Sequence, residues 1–171
     1  MTEGVSNPGS AEPPGHPPPD HTAEGHGDYR VIEATARSAA SPEAVFQVIA
    51  DGAGWQEAVW FVPRSVVERE GDPPPDGVGS IRRFGLGPVA SREEITLFER
   101  PHRLAYVARS GLPVRSYRAE VELTAADDGG TTVRWRGELE PLPRTGAVMA
   151  FAFRRLLRSL ARSAARHAER R

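Results

Sequence analysis

The stretch from Gly146 to Arg171 constrains this chain most. On a 3.6-residue wheel Met149, Phe153, Leu156, Leu157, Leu160 and Ala164 share one face, while Arg154, Arg158, Arg162 and Arg166 spread over the other. Such a helix needs a broad apolar surface to lie on. The segments before it alternate between apolar and polar residues almost without error, which is the pattern of strands with one buried and one wet face. A long helix held by a curved antiparallel sheet is an arrangement that can enclose a cavity.

The last two strands are the plainest. Tyr117, Ala119, Val121 and Leu123 alternate with Arg118, Glu120, Glu122 and Thr124; Val133, Trp135, Gly137 and Leu139 alternate with Arg134, Arg136, Glu138 and Glu140. A hairpin that opposes Val121 to Trp135 also opposes Glu122 to Arg134, Glu120 to Arg136 and Arg118 to Glu138. Exposed charge pairs add little stability, but three in one alignment fix a register. A four-residue loop at 110–113 would place Tyr106 opposite Tyr117 and Leu104 opposite Ala119. Upstream, strands are expected at about 29–38, 64–70, 78–84, 90–99 and 103–109. Ser41-Pro42-Glu43 opens a helix with Ser41 as cap, Pro42 in the first turn and Glu43 at the positive end of the dipole. It ends at Asp51-Gly52, and a second short helix covers 55–59.

The fold class is therefore α+β: about seven antiparallel strands curved around a long C-terminal helix, with two short helices after the first strand. Residues 29–171 form this domain. Residues 1–28 are Pro, Gly, Ser and acidic residues with almost no large apolar side chain, so they are expected to be a disordered tail. The histidines His16, His21 and His26 in it are read as solvated.

What the chain lacks narrows the chemistry. Of its 171 residues none is cysteine, so there is no thiolate nucleophile or cysteine metal site. None is lysine either, which removes a Schiff base and a phosphate-binding P-loop. The remaining histidines, His102 in a turn and His167 near the end, are poorly placed for a triad or a metal centre. Catalysis would rest on Asp, Glu, Tyr, Ser, Arg or water, and no metal or cofactor is expected. A formal charge of −1 gives no field for nucleic acid. No run approaches the ~20 apolar residues of a membrane span, and the N-terminus does not read as a signal peptide; a cytoplasmic protein is expected. Monomer and homodimer both stay open.

Parity and turn order locate a pocket. Turns 85–89 and 110–113 and the link 140–146 fall on one edge of a meander, and each offers a leucine: Leu86, Leu112 and Leu142. Their expected role is the mouth of an apolar cavity, with Met149 and Phe153 the first helix residues that a ligand meets. The inward parity gives the lining as Ile81, Ile95, Leu97, Leu104, Tyr106, Tyr117, Val121, Trp135, Met149, Phe153 and Leu157. If Ile81 and Ile95 face inward, so do Arg83 and Glu93, an ion pair able to anchor a carbonyl or do acid–base work.

Several phrases carry a family likeness: Ser41-Pro42-Glu43-Ala44-Val45-Phe46, Gly77-Val78-Gly79, Pro101-His102-Arg103-Leu104-Ala105-Tyr106 and the terminal helix. Over residues 29–168 the chain resembles the SRPBCC, or START/Bet v1-like, superfamily, in the branch of polyketide cyclase/dehydrase and lipid transport proteins. The resemblance implies a helix-grip fold and a small hydrophobic ligand, a lipid, polyketide or similar molecule, held between sheet and helix. It carries no shared catalytic signature. Two functions remain: a binding or carrier protein, and an aromatase/cyclase or dehydratase in which Tyr106, Tyr117, Glu93 or Arg83 moves protons. A partner-binding role for the arginine side of the last helix is less favoured than a solvated face.

Overall fold

Ser41 begins the first helix as its sequence dictates: its hydroxyl accepts the Ala44 N–H at 3.4 Å, with Pro42 at the first helical position. The computed structural model describes residues 29–87 and 90–171. The 1–28 tail, and Pro88 and Val89 of the 85–89 turn, lie outside the described residues. The elements are β1 (Arg30–Ser38), α1 (Pro42–Ala50), α2 (Trp55–Ala58), β2 (Ser65–Arg69), β3 (Ile81–Phe84), β4 (Ser91–Glu99), β5 (Arg103–Ser110), β6 (Val114–Ala125), β7 (Thr131–Pro141) and α3 (Gly146–Ala168). They make one seven-stranded sheet in the order β1-β7-β6-β5-β4-β3-β2. Every neighbouring pair is antiparallel. This is the helix-grip arrangement expected from the sequence.

Helix α3 lies across β1 and β7 and touches α1. Phe153, Leu157, Ala161, Ala164, Ala165 and Ala168 are its buried side. The run of alanines in its second half lets the backbones approach closely. There Ser38 Oγ donates to the Ala165 carbonyl at 2.9 Å, and Ala39 N–H donates to the Glu169 carboxylate at 2.8 Å. The C-terminal end of α3 is thus pinned to the end of β1. Its N-terminal half extends past this anchor toward the aromatic end of the sheet.

The β6–β7 hairpin has the register that its charges prescribe, with Val121 opposite Trp135 and Arg118 opposite Glu138. Arg118 binds Glu138, and Arg134 reaches Glu122 at 3.5 Å. The third pair splits: Glu120 takes Arg103 at 2.8 Å and Arg136 takes Glu138 at 2.6 Å. The β5–β6 register differs from expectation by two residues. Tyr106 stands opposite Ala119, and Leu104 opposite Val121. The cause is a splay. β5 and β6 pair only from Arg103–Glu122 to Val107–Arg118; beyond that Ser110 stays with Arg92 of β4, and Val114 with Pro141 of β7. Because the shift is even, inward parity survives, and Tyr106 and Tyr117 become diagonal neighbours with ring centroids 6.2 Å apart.

Two parity expectations fail. In β3 the side chain at 82, not 81 or 83, is buried, so Ile81 and Arg83 lie on the outer side; Arg83 reaches Glu68 at 3.5 Å. In β4 the register slips between Ile95 and Leu97, a β-bulge at Thr96. Phe98 then pairs with Leu104 and packs edge-on against Phe46 at 5.2 Å, while Leu97 turns away from the core.

Candidate functional site

A cavity of about 200 Å³ opens between the splayed strands and α3. Its floor is aromatic. Tyr106, Tyr117 and Trp135 come from neighbouring strands, with Trp55 against Trp135 at 6.0 Å and Phe153 of α3 against Tyr117 at 5.1 Å. Phe84 of β3 and Ser91 of β4 complete the sheet side. The rim is the 61–63 loop after α2, with Leu112 and the α3 residues Leu156 and Leu160. Of these, Phe61, Val62, Leu112, Leu156 and Leu160 are half-buried and Pro63 is exposed.

The polar end of the cavity is built on Arg82. This side chain is only 2 % exposed. Its stem passes over Gly52, where an added Cβ would lie 2.7 Å from the arginine Cδ. The guanidinium donates from Nη1 to the Ile49 carbonyl at 3.0 Å, beside a second bond from Trp55 Nε1 at 3.1 Å. That carbonyl belongs to the last turn of α1, the negative end of the helix dipole. The rings of Phe84 and Tyr106 lie 5.4 and 5.7 Å from Arg82 Cζ, within cation–π range. Nη2 stands 3.6 Å from the Glu93 carboxylate, an ion pair longer than a hydrogen bond.

Burial pushes the Glu93 carboxyl up to about 7, against the pull of Arg82. Near neutral pH this group therefore exists in both protonation states. Burial also raises Tyr106 and Tyr117, so both are neutral phenols. Tyr106 accepts the Trp135 indole N–H at 3.2 Å, and its ring lies 6.2 Å from that of Tyr117. The site thus offers phenol donors, a fixed cation and one carboxyl of tunable charge. Among the described residues there is no cluster of three or more His, Cys, Asp or Glu suited to a metal ion.

Of the residues singled out from sequence, Tyr106, Tyr117, Trp135, Phe153, Glu93 and Leu112 border this cavity. Ile95, Leu104, Val121 and Leu157 face inward too, but they are consumed by the core and do not reach the cavity. Met149 packs at the core margin. Ile81, Leu97 and Arg83 lie on the wrong side, for the parity reasons above. Leu86 and Leu142 are exposed and do not line the opening. The rim is formed instead by Leu156 and Leu160 of α3 together with Phe61, Val62 and Pro63 after α2. Sequence reasoning missed Arg82, Trp55, Phe84, Ser91 and this loop. The run Trp60-Phe61-Val62-Pro63 was the available signal: four apolar residues directly after a helix, too short to be core on their own.

An antiparallel sheet closed over one long helix around an aromatic cavity defines a helix-grip protein of the START/Bet v1 class. The family described as polyketide cyclase / dehydrase and lipid transport matches residues 30–169, and the chain belongs to it. Solved structures agree. A START superfamily protein from Mycobacterium smegmatis aligns over 82 % of this chain and 97 % of its own at TM-score 0.70 and 12 % identity. Ara h 8.0201 aligns over 84 % and 99 % at TM-score 0.65 and 12 % identity. A Thermobifida fusca protein aligns over 80 % and 93 % at TM-score 0.65 and 21 % identity. At these identities the likeness speaks to fold. No curated protein matches in sequence. Among the described residues no helix is long and apolar enough to cross a membrane.

Proposed function

We propose that the chain binds a small, mostly apolar molecule about one ring in size, with its oxygen function directed at Glu93, Arg82 and Tyr106. The observation that carries this reading is the cavity of about 200 Å³ with aromatic walls and one polar end. Pockets for drug-sized ligands run to ~300–1,000 Å³, whereas an apolar cavity of ~150 Å³ takes benzene. A substituted single ring fits this scale, and a longer acyl or polyketide chain would extend past Leu156 and Leu160. Family membership supports the hydrophobic character of the ligand.

The test is ligand-induced stabilisation. Single-ring phenols and cyclic ketones should raise the melting temperature and quench the fluorescence of the cavity tryptophans. The matching hydrocarbons should do so more weakly. Stabilisation follows RT ln(1 + [L]/Kd), about 2.7 kcal/mol at a hundredfold excess over Kd. If no compound of either class shifts the melt, and native mass spectrometry finds only empty protein, the binding reading is wrong.

One observation favours a catalytic variant of the same site. A carboxyl near 7 beside a phenol is suited to moving a proton next to a carbonyl, as cyclisation or dehydration of a poly-carbonyl chain requires. Glu93→Gln, which keeps a hydrogen-bonding side chain in the same place, should then cut turnover by about 10²-fold or more while weakening ligand binding far less. Equal rates in the two proteins would leave the carrier reading alone.

A further inference from the structure

Charge is distributed very unevenly over this chain. On the sheet nearly every arginine has a carboxylate partner: Arg92 with Glu68 at 2.7 Å, Arg109 with Glu94 at 2.7 Å and Arg134 with Glu33 at 3.0 Å are examples. Helix α3 is the opposite. It carries Arg154, Arg155, Arg158, Arg162 and Arg166 and no acidic residue. All five are exposed, and none has a carboxylate partner among the described residues. At about 100° per residue, Val148, Phe151, Arg155, Arg158, Arg162 and Arg166 share one sector about 80° wide. Phe151 and Val148 are 66 % and 65 % exposed, and the Arg155 guanidinium sits 5.9 Å from the Phe151 ring centroid. This sector faces away from Leu156 and Leu160, so it is not part of the cavity rim.

The complementary charge lies within the same chain. Residues 1–28 contain Glu3, Glu12, Asp20, Glu24 and Asp28 and no arginine or lysine, five negative charges against the five arginines of α3. They also join the body in the right place. β1 begins at Arg30, opposite Leu139, and an added Cβ at Gly146 would lie 3.3 Å from Arg30 Nε. The segment thus leaves beside the first turn of α3. Twenty-eight residues span up to ~90 Å extended, or ~30 Å as a flexible coil. The 23 residues of α3 are about 35 Å long.

We propose that the acidic 1–28 segment docks along the Val148–Phe151–arginine stripe of α3 in its own chain. The contact sets acid against arginine, and Pro and Val side chains against Phe151. It withholds the stripe from other anionic surfaces and leaves the cavity rim open.

The test uses the full chain. No cysteine is present, so Ser10→Cys takes a single nitroxide label. The expected result is broadening of the amide signals of Val148, Phe151, Arg155 and Arg158, with those of the β6–β7 outer face unchanged. It should vanish in 1 M salt, where the Debye length is ~3 Å, and in a full chain carrying Glu3→Gln, Glu12→Gln, Asp20→Asn, Glu24→Gln and Asp28→Asn. Absent broadening, or broadening that ignores salt and neutralisation, overturns the proposal. So does broadening carried from a labelled chain to an unlabelled, isotope-enriched one, which would make a second copy the host. Vesicles with phosphatidylserine are the last arm. The proposal expects the neutralised chain to bind them at least tenfold more tightly than the wild type; equal binding, with loss of the wild-type broadening, would make the lipid surface the occupant.

Discussion

Arg82 and Glu93 stand directly opposite each other on β3 and β4, with Nη2 3.6 Å from the carboxylate. A fully buried guanidinium is held by one carbonyl, two aromatic rings and this one long ion pair. Breaking a buried pair by removing one partner costs roughly 3–5 kcal/mol, because the other charge is left uncompensated. Arg82→Ala should therefore lower the stability measured by urea denaturation by about that amount. A loss under about 1 kcal/mol would mean that the pair is solvated and that the cavity has no fixed cation.

The Glu93 carboxyl gives stability a pH dependence of defined sign. Its folded value, about 7, lies above the reference 4.5, so between these values the folded chain binds more protons than the unfolded one. Stability from this group is full below the reference value and is lost as pH rises through 7. At 1.36 kcal/mol per unit the loss is at most about 3 kcal/mol. Glu93→Gln should flatten the melting temperature over this window. Parallel profiles would show that the carboxyl is not buried in solution.

Filling the cavity from its rim should separate binding from folding. Leu156 is half-buried and borders the opening. Leu156→Trp is expected to weaken binding of a single-ring ligand at least tenfold and to move the melting temperature by no more than a few degrees. Val148→Ser, on the far sector of α3, should leave ligand affinity unchanged. Equal effects would place the ligand elsewhere.

Two left-handed glycines offer a controlled comparison. Gly111 has φ 85°, and a Cβ there would lie 2.2 Å from the Ala90 carbonyl oxygen; Gly129 has φ 81° with open space around it. Alanine at 129 should cost only the conformational penalty, about 1–2 kcal/mol. Gly111→Ala should cost clearly more in thermal denaturation. It should also weaken ligand binding, since Leu112 follows it onto the rim. Equal losses would mean that the 110–113 loop is free to move off β4.

Legibility followed strand length. β6 and β7 run for 12 and 11 residues, and over that length alternation and opposed charges leave one register. The same alternation put Tyr106, Tyr117 and Trp135 on a common inner face. In β3 the four residues Ile81-Arg82-Arg83-Phe84 place their two apolar side chains on opposite faces, so hydrophobicity cannot choose between parities. Burial of Arg82 depends on partners far away in sequence, the Ile49 carbonyl and Glu93, and no local pattern encodes it. The rim was misread for a related reason. The meander predicted which turns share an edge, and Gly111 does approach Ala90, but only one of the three leucines turns inward. The loop at 60–63 belongs to no repeating pattern, and its place follows from the packing of α2.

The bulge at Thr96 divides β4 into two halves of opposite phase. Without it, the alternation that turns Glu93 and Ile95 inward would continue through Leu97 to Glu99. Leu97 would then take the place of Phe98 opposite Leu104, and Glu99 would follow it onto the inner face with no buried cation to meet it. One extra residue in the strand thus lets the cavity half carry an ionisable group while the half beneath α1 stays dry. The two halves can change sequence independently: new polar groups among residues 91–95 retune the ligand site without altering which side chains seal the far end of the core.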